Sequence, residues 1–126
     1  MKSRASLIFL FLLSFLFSCS QESEHIVIGV SQCSEDSWRQ KLKQELIMTT
    51  YFNPGVDLIF TSANDDSELQ QRQIDSLVNC GIDLLIVSPN QVDLLSSAVD
   101  RAYDKGIPVI LFDRKMDSEK YTAFMG

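Results

Sequence analysis

The stretch GIDLLIVSPNQVDLLSSAVDRAYDKGIPVILFDR, from Gly81 to Arg114, leaves this chain few folds to choose from. Leu84 to Val87 and Val109 to Phe112 are continuous apolar runs, the pattern of strands covered on both faces. Strands of that kind belong to parallel sheets. Between them Leu95, Ala98, Val99 and Ala102 recur at spacings of three and four, with Asp93, Asp100, Arg101 and Asp104 off that stripe, so a helix joins the two strands. A right-handed βαβ crossover then brings the Ser88-Pro89-Asn90 corner and the Asp113-Arg114 pair to the same carboxyl edge of the sheet.

The residues before this unit repeat its logic. IVIGV, Ile26 to Val30, is a buried strand with a glycine where another element comes close. Ser34 or Asp36 can cap a helix running to about Thr50, with Trp38, Leu42, Leu46 and Thr49 on its inward face. After the turn Asn53-Pro54-Gly55, the strand Val56 to Phe60 is interrupted by Asp57 and belongs near the sheet edge. Ser67 and Gln70 are spaced as a capping box for a second helix whose buried stripe is Leu69, Ile74, Leu77 and Val78. Gly81 and Gly106 end the helices before them. Tyr121 to Met125 begin a fifth strand, which gives an α/β fold, a partial doubly wound parallel sheet with spatial order 2-1-3-4-5. A chain that stops inside a strand reads as an incomplete lobe, a truncation or one piece of a longer protein.

The amino terminus has a different character. Lys2 and Arg4 precede an almost wholly apolar run, Leu7 to Phe17, followed at once by Ser18-Cys19-Ser20. The run is short for a spanning helix and has the shape of an export signal over residues 1–18. Leu16-Phe17-Ser18-Cys19 resembles a bacterial lipobox, in which Cys19 is lipidated and anchors the protein at a membrane surface in the periplasm. Residues 19–24 then form a polar tether, and 25–126 the domain. All 17 acidic residues lie beyond residue 18, against nine Lys or Arg, a net charge of minus eight that argues against nucleic acid as a partner. Export also brings an oxidising compartment. Even so, Cys33 and Cys80 fall at opposite ends of a helix about 18 Å long, so they are expected as unpaired, largely buried thiols.

The carboxyl edge collects the loop Ser31 to Ser37, the loop Thr61 to Asp66, the corner at Asn90, and Asp113-Arg114. It holds no dinucleotide fingerprint and no phosphate loop, so no cofactor is expected. The one histidine, His25, precedes the first strand and belongs at the other end of the sheet, which removes a Ser-His-Asp set; no metal-ligand spacing occurs either. What remains is a non-enzymatic edge of carboxylate, amide, hydroxyl and guanidinium groups with Trp38 beside it. Such groups suit a neutral polyhydroxylated ligand, whose hydroxyls both donate and accept and whose C–H face can lie on an aromatic ring.

IVIGVSQCSEDSWRQKL, ANDDSELQQRQIDSLVNCGIDLLIVSPN and DKGIPVILFDRKMDSEKYTAFMG together resemble the N-terminal lobe of type I periplasmic sugar-binding proteins, the ribose-binding-like group, across residues 25–126. The SQC-to-WR segment is similar to the periplasmic sensor domains of hybrid two-component histidine kinases of Bacteroides-type bacteria. The resemblance implies a monosaccharide bound between this lobe and a second one, with Asp113 and Arg114 on the sugar hydroxyls. Ser31, Trp38, Arg39 and Asn90 complete the candidate ligand-binding set. The family's first loop carries an Asn-Pro-aromatic-aromatic run where this chain has Glu35-Asp36-Ser37-Trp38, so only the second aromatic matches. Core packing and sugar stacking both stay open for Trp38. As a sensor domain the protein signals to a membrane histidine kinase; as a binding lipoprotein it delivers sugar to an ABC permease; a nonfunctional remnant of either is the third reading.

Overall fold

A computed structural model describes residues 25–126, so the expected signal, Cys19 and the whole tether, residues 19–24, lie outside the described residues. The elements run β1 (Ile26–Gln32), α1 (Ser37–Tyr51), β2 (Val56–Ser62), α2 (Ser67–Asn79), β3 (Leu84–Ser88), α3 (Val92–Asp104), β4 (Val109–Phe112) and β5 (Ala123–Met125). They form one sheet ordered β2-β1-β3-β4-β5, with every neighbouring pair parallel. This is the order expected from the βα alternation, and β2 is an edge strand as Asp57 suggested. Parallel pairing puts the carboxyl ends of β1, β3 and β4 side by side, which is what assembles the candidate site.

α2 and α3 lie together on one face of the sheet. Ile74, Leu77 and Val78 from α2 and Leu95, Ala98, Val99 and Ala102 from α3 meet Leu85, Val87, Val109 and Leu111, and Met116 closes the cluster. The stripe expected for α3 is buried throughout. β1 approaches α2 closely: a Cβ on Gly29 would stand 2.8 Å from the Ile82 side chain and 3.3 Å from that of Leu77. The backbone at Gly81 and Gly106 is left-handed, with φ of 81° and 84°, the geometry that lets a glycine stop a helix and turn the chain.

The other face carries α1 alone among the described residues, and here the expectations need correcting. Leu84, Ile86, Ile110 and Phe112 point that way and are only half-buried, so double coverage of the apolar strands holds on one side. Trp38 and Thr49, expected to face inward, are exposed; Leu42 and Leu46 are half-buried, and the buried residue of α1 is Arg39. The cause is the helix's own pattern, because Ile47, Met48, Tyr51 and Phe52 continue the apolar residues around a second side, and one contact cannot bury both. Met48 and Met125 are surface residues as well, leaving Met116 as the methionine that packs.

Two local details also differ. α1 is capped by Asp36, one of the two expected residues, whose carboxylate accepts from the Trp38 and Arg39 amides. α2 does not use the Ser67/Gln70 capping box: it starts from Asp66, which accepts from the Leu69 amide at 2.9 Å. Asp66 lies one residue earlier and supplies an ionised acceptor to the helix amino end, which frees Ser67 and Gln70 to turn inward. Cys33 and Cys80 are unpaired as expected, but Cys80, at the end of α2, is exposed.

Gly29→Val should lower stability by about 1–3 kcal/mol, the usual effect of overpacking a filled core. A urea titration would show the midpoint falling at unchanged slope; a midpoint equal to that of the native sequence would mean that β1 and α2 can separate freely.

Candidate functional site

Arg39 is the centre of the carboxyl edge. It enters from the first turn of α1, with its side chain 10% exposed, and meets three elements. Nη2 donates to Asp113 Oδ2 at 2.8 Å. Nε and Nη2 lie 3.3 and 3.2 Å from Ser88 Oγ at the end of β3, and Nη1 is paired with the Asp36 carboxylate. Its backbone carbonyl accepts from the buried Gln32 amide at 3.2 Å. Asp36 is held below its ordinary pKa, first by the Arg39 backbone N–H, against the opposing effect of burial, with the guanidinium and the Ser34 hydroxyl adding to the lowering. Burial works against the charge on Arg39, but the two carboxylates outweigh it and push its pKa up.

Asp113 follows β4 with a left-handed backbone, φ 71°. Aspartate is one of the few residues besides glycine that enter this region readily, and the turn sends the next residue across the corner after β3. There Arg114 Nη1 donates to the Asn90 carbonyl and lies 3.5 Å from that of Pro89, while its Nε stands 4.0 Å from Asp113 Oδ2. Two cations and two carboxylates thus meet with no net charge.

Trp38 stands at the rim. Its ring stacks on Phe112 with centroids 5.0 Å apart and planes 10° apart, and the Arg39 guanidinium carbon lies 5.6 Å from its centroid. Half-exposed, it is no core residue. Phe112, Arg39 and Trp38 form an aromatic and cationic shelf beside Asp113.

The remaining candidates are engaged below the surface. Ser31 is buried, its hydroxyl accepting from Gln70 Nε2 at 3.3 Å. The Asn90 side chain donates to the Asp65 carbonyl at 2.7 Å and to Ser67 Oγ at 3.0 Å, tying the corner to the loop after β2. The structure therefore gathers Trp38, Arg39, Asp113 and Arg114 at one edge, with Asn90 beside them and Ser31 beneath. His25 lies at the opposite end, 3.0 Å from Asp57. Among the described residues no group of three or more His, Cys, Asp or Glu side chains is placed to hold a metal.

Three participants were not singled out from sequence: Asp36 as partner of Arg39, Ser88 as its hydroxyl acceptor, and Gln70. The signal for Gln70 was present in its spacing, four residues before Ile74 on the buried stripe of α2, where a polar side chain must be hydrogen-bonded internally.

A carboxyl-edge site on a parallel sheet, assembled from strand-end loops, is the place where open α/β folds bind ligands. The family model of the periplasmic binding protein domain matches residues 26–126, and the chain belongs to that family, whose members bind ligands and do not catalyse. The chain is 28% identical to the D-xylose-binding periplasmic protein of Haemophilus influenzae over 127 aligned residues, 98% of this chain and 38% of that protein. It is 39% identical to the xylitol-binding protein of Mycolicibacterium smegmatis over 72 residues, 56% of this chain and 21% of that protein. Among solved structures, the fructose-binding periplasmic domain of a hybrid two-component system superposes with a TM-score of 0.79 at 46% identity, covering 81% of this chain and 34% of that one. A solute-binding protein of an ABC transporter from Bacillus halodurans, with bound myo-inositol, gives 0.75 at 28% identity, covering 83% and 37%. The chain spans little more than a third of the length of the longer matches.

The Asp36 cap should be lost in acid. Its folded pKa lies below the unfolded value, so its contribution is complete above the unfolded value and disappears as the pH falls through the folded one. Amide-exchange protection at Trp38 and Arg39 should survive through the ordinary carboxylate range and be lost only at lower pH, because the folded pKa is depressed. Asp36→Asn, a neutral cap residue, should remove that acid step while keeping protection at neutral pH; an unchanged acid step in this variant would assign it to another group.

Proposed function

We propose that residues 25–126 form the N-terminal lobe of an exported two-lobed domain that binds a neutral sugar or polyol. The observation that carries this reading is the charge-balanced edge of Arg39, Asp113, Asp36 and Arg114 beside the Trp38–Phe112 shelf. Within this cluster no charge is left unpaired for an anion or a cation, whereas hydroxyl groups find acceptors on carboxylates, donors on guanidinium groups and an aromatic wall. Xylose-, xylitol- and ribose-binding relatives support this ligand class, as do the solved structures holding myo-inositol and β-D-fucofuranose. In the proposed complex Asp113 and Arg114 bind sugar hydroxyls, Trp38 flanks the ring, Arg39 and Asn90 border the ligand, and Ser31 supports the floor.

The same comparisons favour solute delivery to an ABC importer as the role of the whole protein, because its transport relatives are many and diverse. A sensor domain that signals to a membrane histidine kinase is the second reading, favoured by the 46% identity to the fructose-binding domain of a hybrid two-component system. Both roles place the domain in the periplasm. Export through residues 1–18 and anchoring by a lipid on Cys19, with 19–24 as tether, fit either.

The test is Asp113→Asn in the two-lobed protein that contains this lobe. Asparagine keeps the left-handed backbone that alanine would strain, and it removes the charge that accepts from Arg39 and faces Arg114. Calorimetric titration with a panel of pentoses, hexoses and inositols should show binding by the native sequence and a loss of roughly 1–3 kcal/mol in the variant. No binding of any of these by the native protein would overturn the ligand class, and equal affinity in a folded variant would remove Asp113 from the site.

A further inference from the structure

Gln70 is fully buried in the second turn of α2, and both ends of its amide are hydrogen-bonded. Nε2 donates to the Ser88 carbonyl at 2.9 Å and to Ser31 Oγ at 3.3 Å. Oε1 accepts from the Asn90 backbone N–H at 3.0 Å. One uncharged side chain thus joins the end of β1, the end of β3 and the corner beyond it. From those three points the contacts reach the ligand edge in one more step. Ser88 Oγ receives Arg39, which holds Asp113. The Asn90 carbonyl receives Arg114, and the Asn90 side chain fixes the loop at Asp65.

We propose that Gln70 is the positioning residue of the binding edge: it sets the spacing between the Ser88–Asn90 corner and β1, and through it the placement of Asp113 and Arg114. The inference rests on the ligand reading above. Having no exposed surface, Gln70 acts only through other residues. Its two functions cannot be supplied by other side chains of the same size. Glutamate keeps an acceptor for Asn90 but turns a carboxylate toward the Ser88 carbonyl, acceptor against acceptor; methionine keeps the volume and loses donors and acceptor alike.

In the two-lobed protein, Gln70→Glu and Gln70→Met should weaken sugar binding about tenfold or more, measured by calorimetry at a temperature where circular dichroism shows the variant fully folded. Arg114→Ala supplies the readout that a merely structural residue would not move. If Gln70 places Arg114, then Arg114→Ala costs clearly less affinity in the Gln70→Met background than in the native one, and the two losses do not multiply. Native affinity in either folded Gln70 variant, or losses that multiply in the double variant, would overturn the positioning role while leaving the sugar-binding reading in place. Should Gln70→Glu fail to fold, Gln70→Met decides alone. A native protein that binds no sugar or polyol would instead overturn the ligand reading, and this inference with it.

Discussion

A parallel sheet cannot reverse at its own end. Each crossover must carry the chain back to the starting edge before the next strand begins, and the site of this protein is a consequence of that rule. β1, β3 and β4 end next to one another because each begins beside the others, so residues 31, 88 and 113 are brought together although they are far apart in sequence. Backbone groups freed at these ends need partners. Gln70 supplies them at Ser88 and Asn90 in the buried layer, and Arg114 reaches the Asn90 carbonyl nearer the surface.

Charge is handled locally at the edge. The described chain is acidic overall, yet the edge itself is balanced, since Arg39 faces Asp36 and Asp113 and Arg114 reaches over Asp113. An unpartnered guanidinium as enclosed as Arg39 would be costly; shared between two carboxylates and a serine hydroxyl it is not. The same arrangement restricts Asp113, because Oδ2 is occupied by Arg39 and the left-handed backbone limits how the side chain can turn. A carboxylate held in this way needs little reordering to accept one more hydrogen bond.

The topology and the position of the edge were legible in the sequence because they rest on long, unambiguous signals: continuous apolar strands, the α3 stripe, and glycines at 81 and 106. Asp113, Arg114 and Trp38 followed from the spacing of those elements and from family resemblance. What escaped depended on side-chain direction. The capping box at Ser67 and Gln70 satisfied a local rule, but Asp66 won the cap and the buried layer claimed both residues. Arg39 was legible as a residue near the edge, not as its centre, since an arginine following a tryptophan on a helix carries no sign that it turns inward while the tryptophan turns out. The inward stripe assigned to α1 failed for the same reason: Trp38, Leu42 and Leu46 have the right spacing, but competing apolar residues at 47, 48, 51 and 52 leave the helix without one preferred side.

That ambiguity has a consequence for how the edge is held. α2 and α3 are fixed by a closed apolar core, whereas α1 buries a single residue, Arg39. The position of α1 on the sheet therefore depends on half-buried contacts and on the bonds of one guanidinium to Ser88 and Asp113. The bonds to Ser88 are enclosed, and the one to Asp113 is the bond that a ligand on that carboxylate would compete with or reinforce. Elements with few buried apolar contacts and several exposed polar ones occupy the low-stability end of a structure. A ligand seated on Asp113 and Trp38 would restrain α1 directly, so that occupancy of the edge and order in this helix are linked through the ion cluster. The α2–α3 side, closed around an apolar core, is thus held more firmly than the helix that presents Trp38.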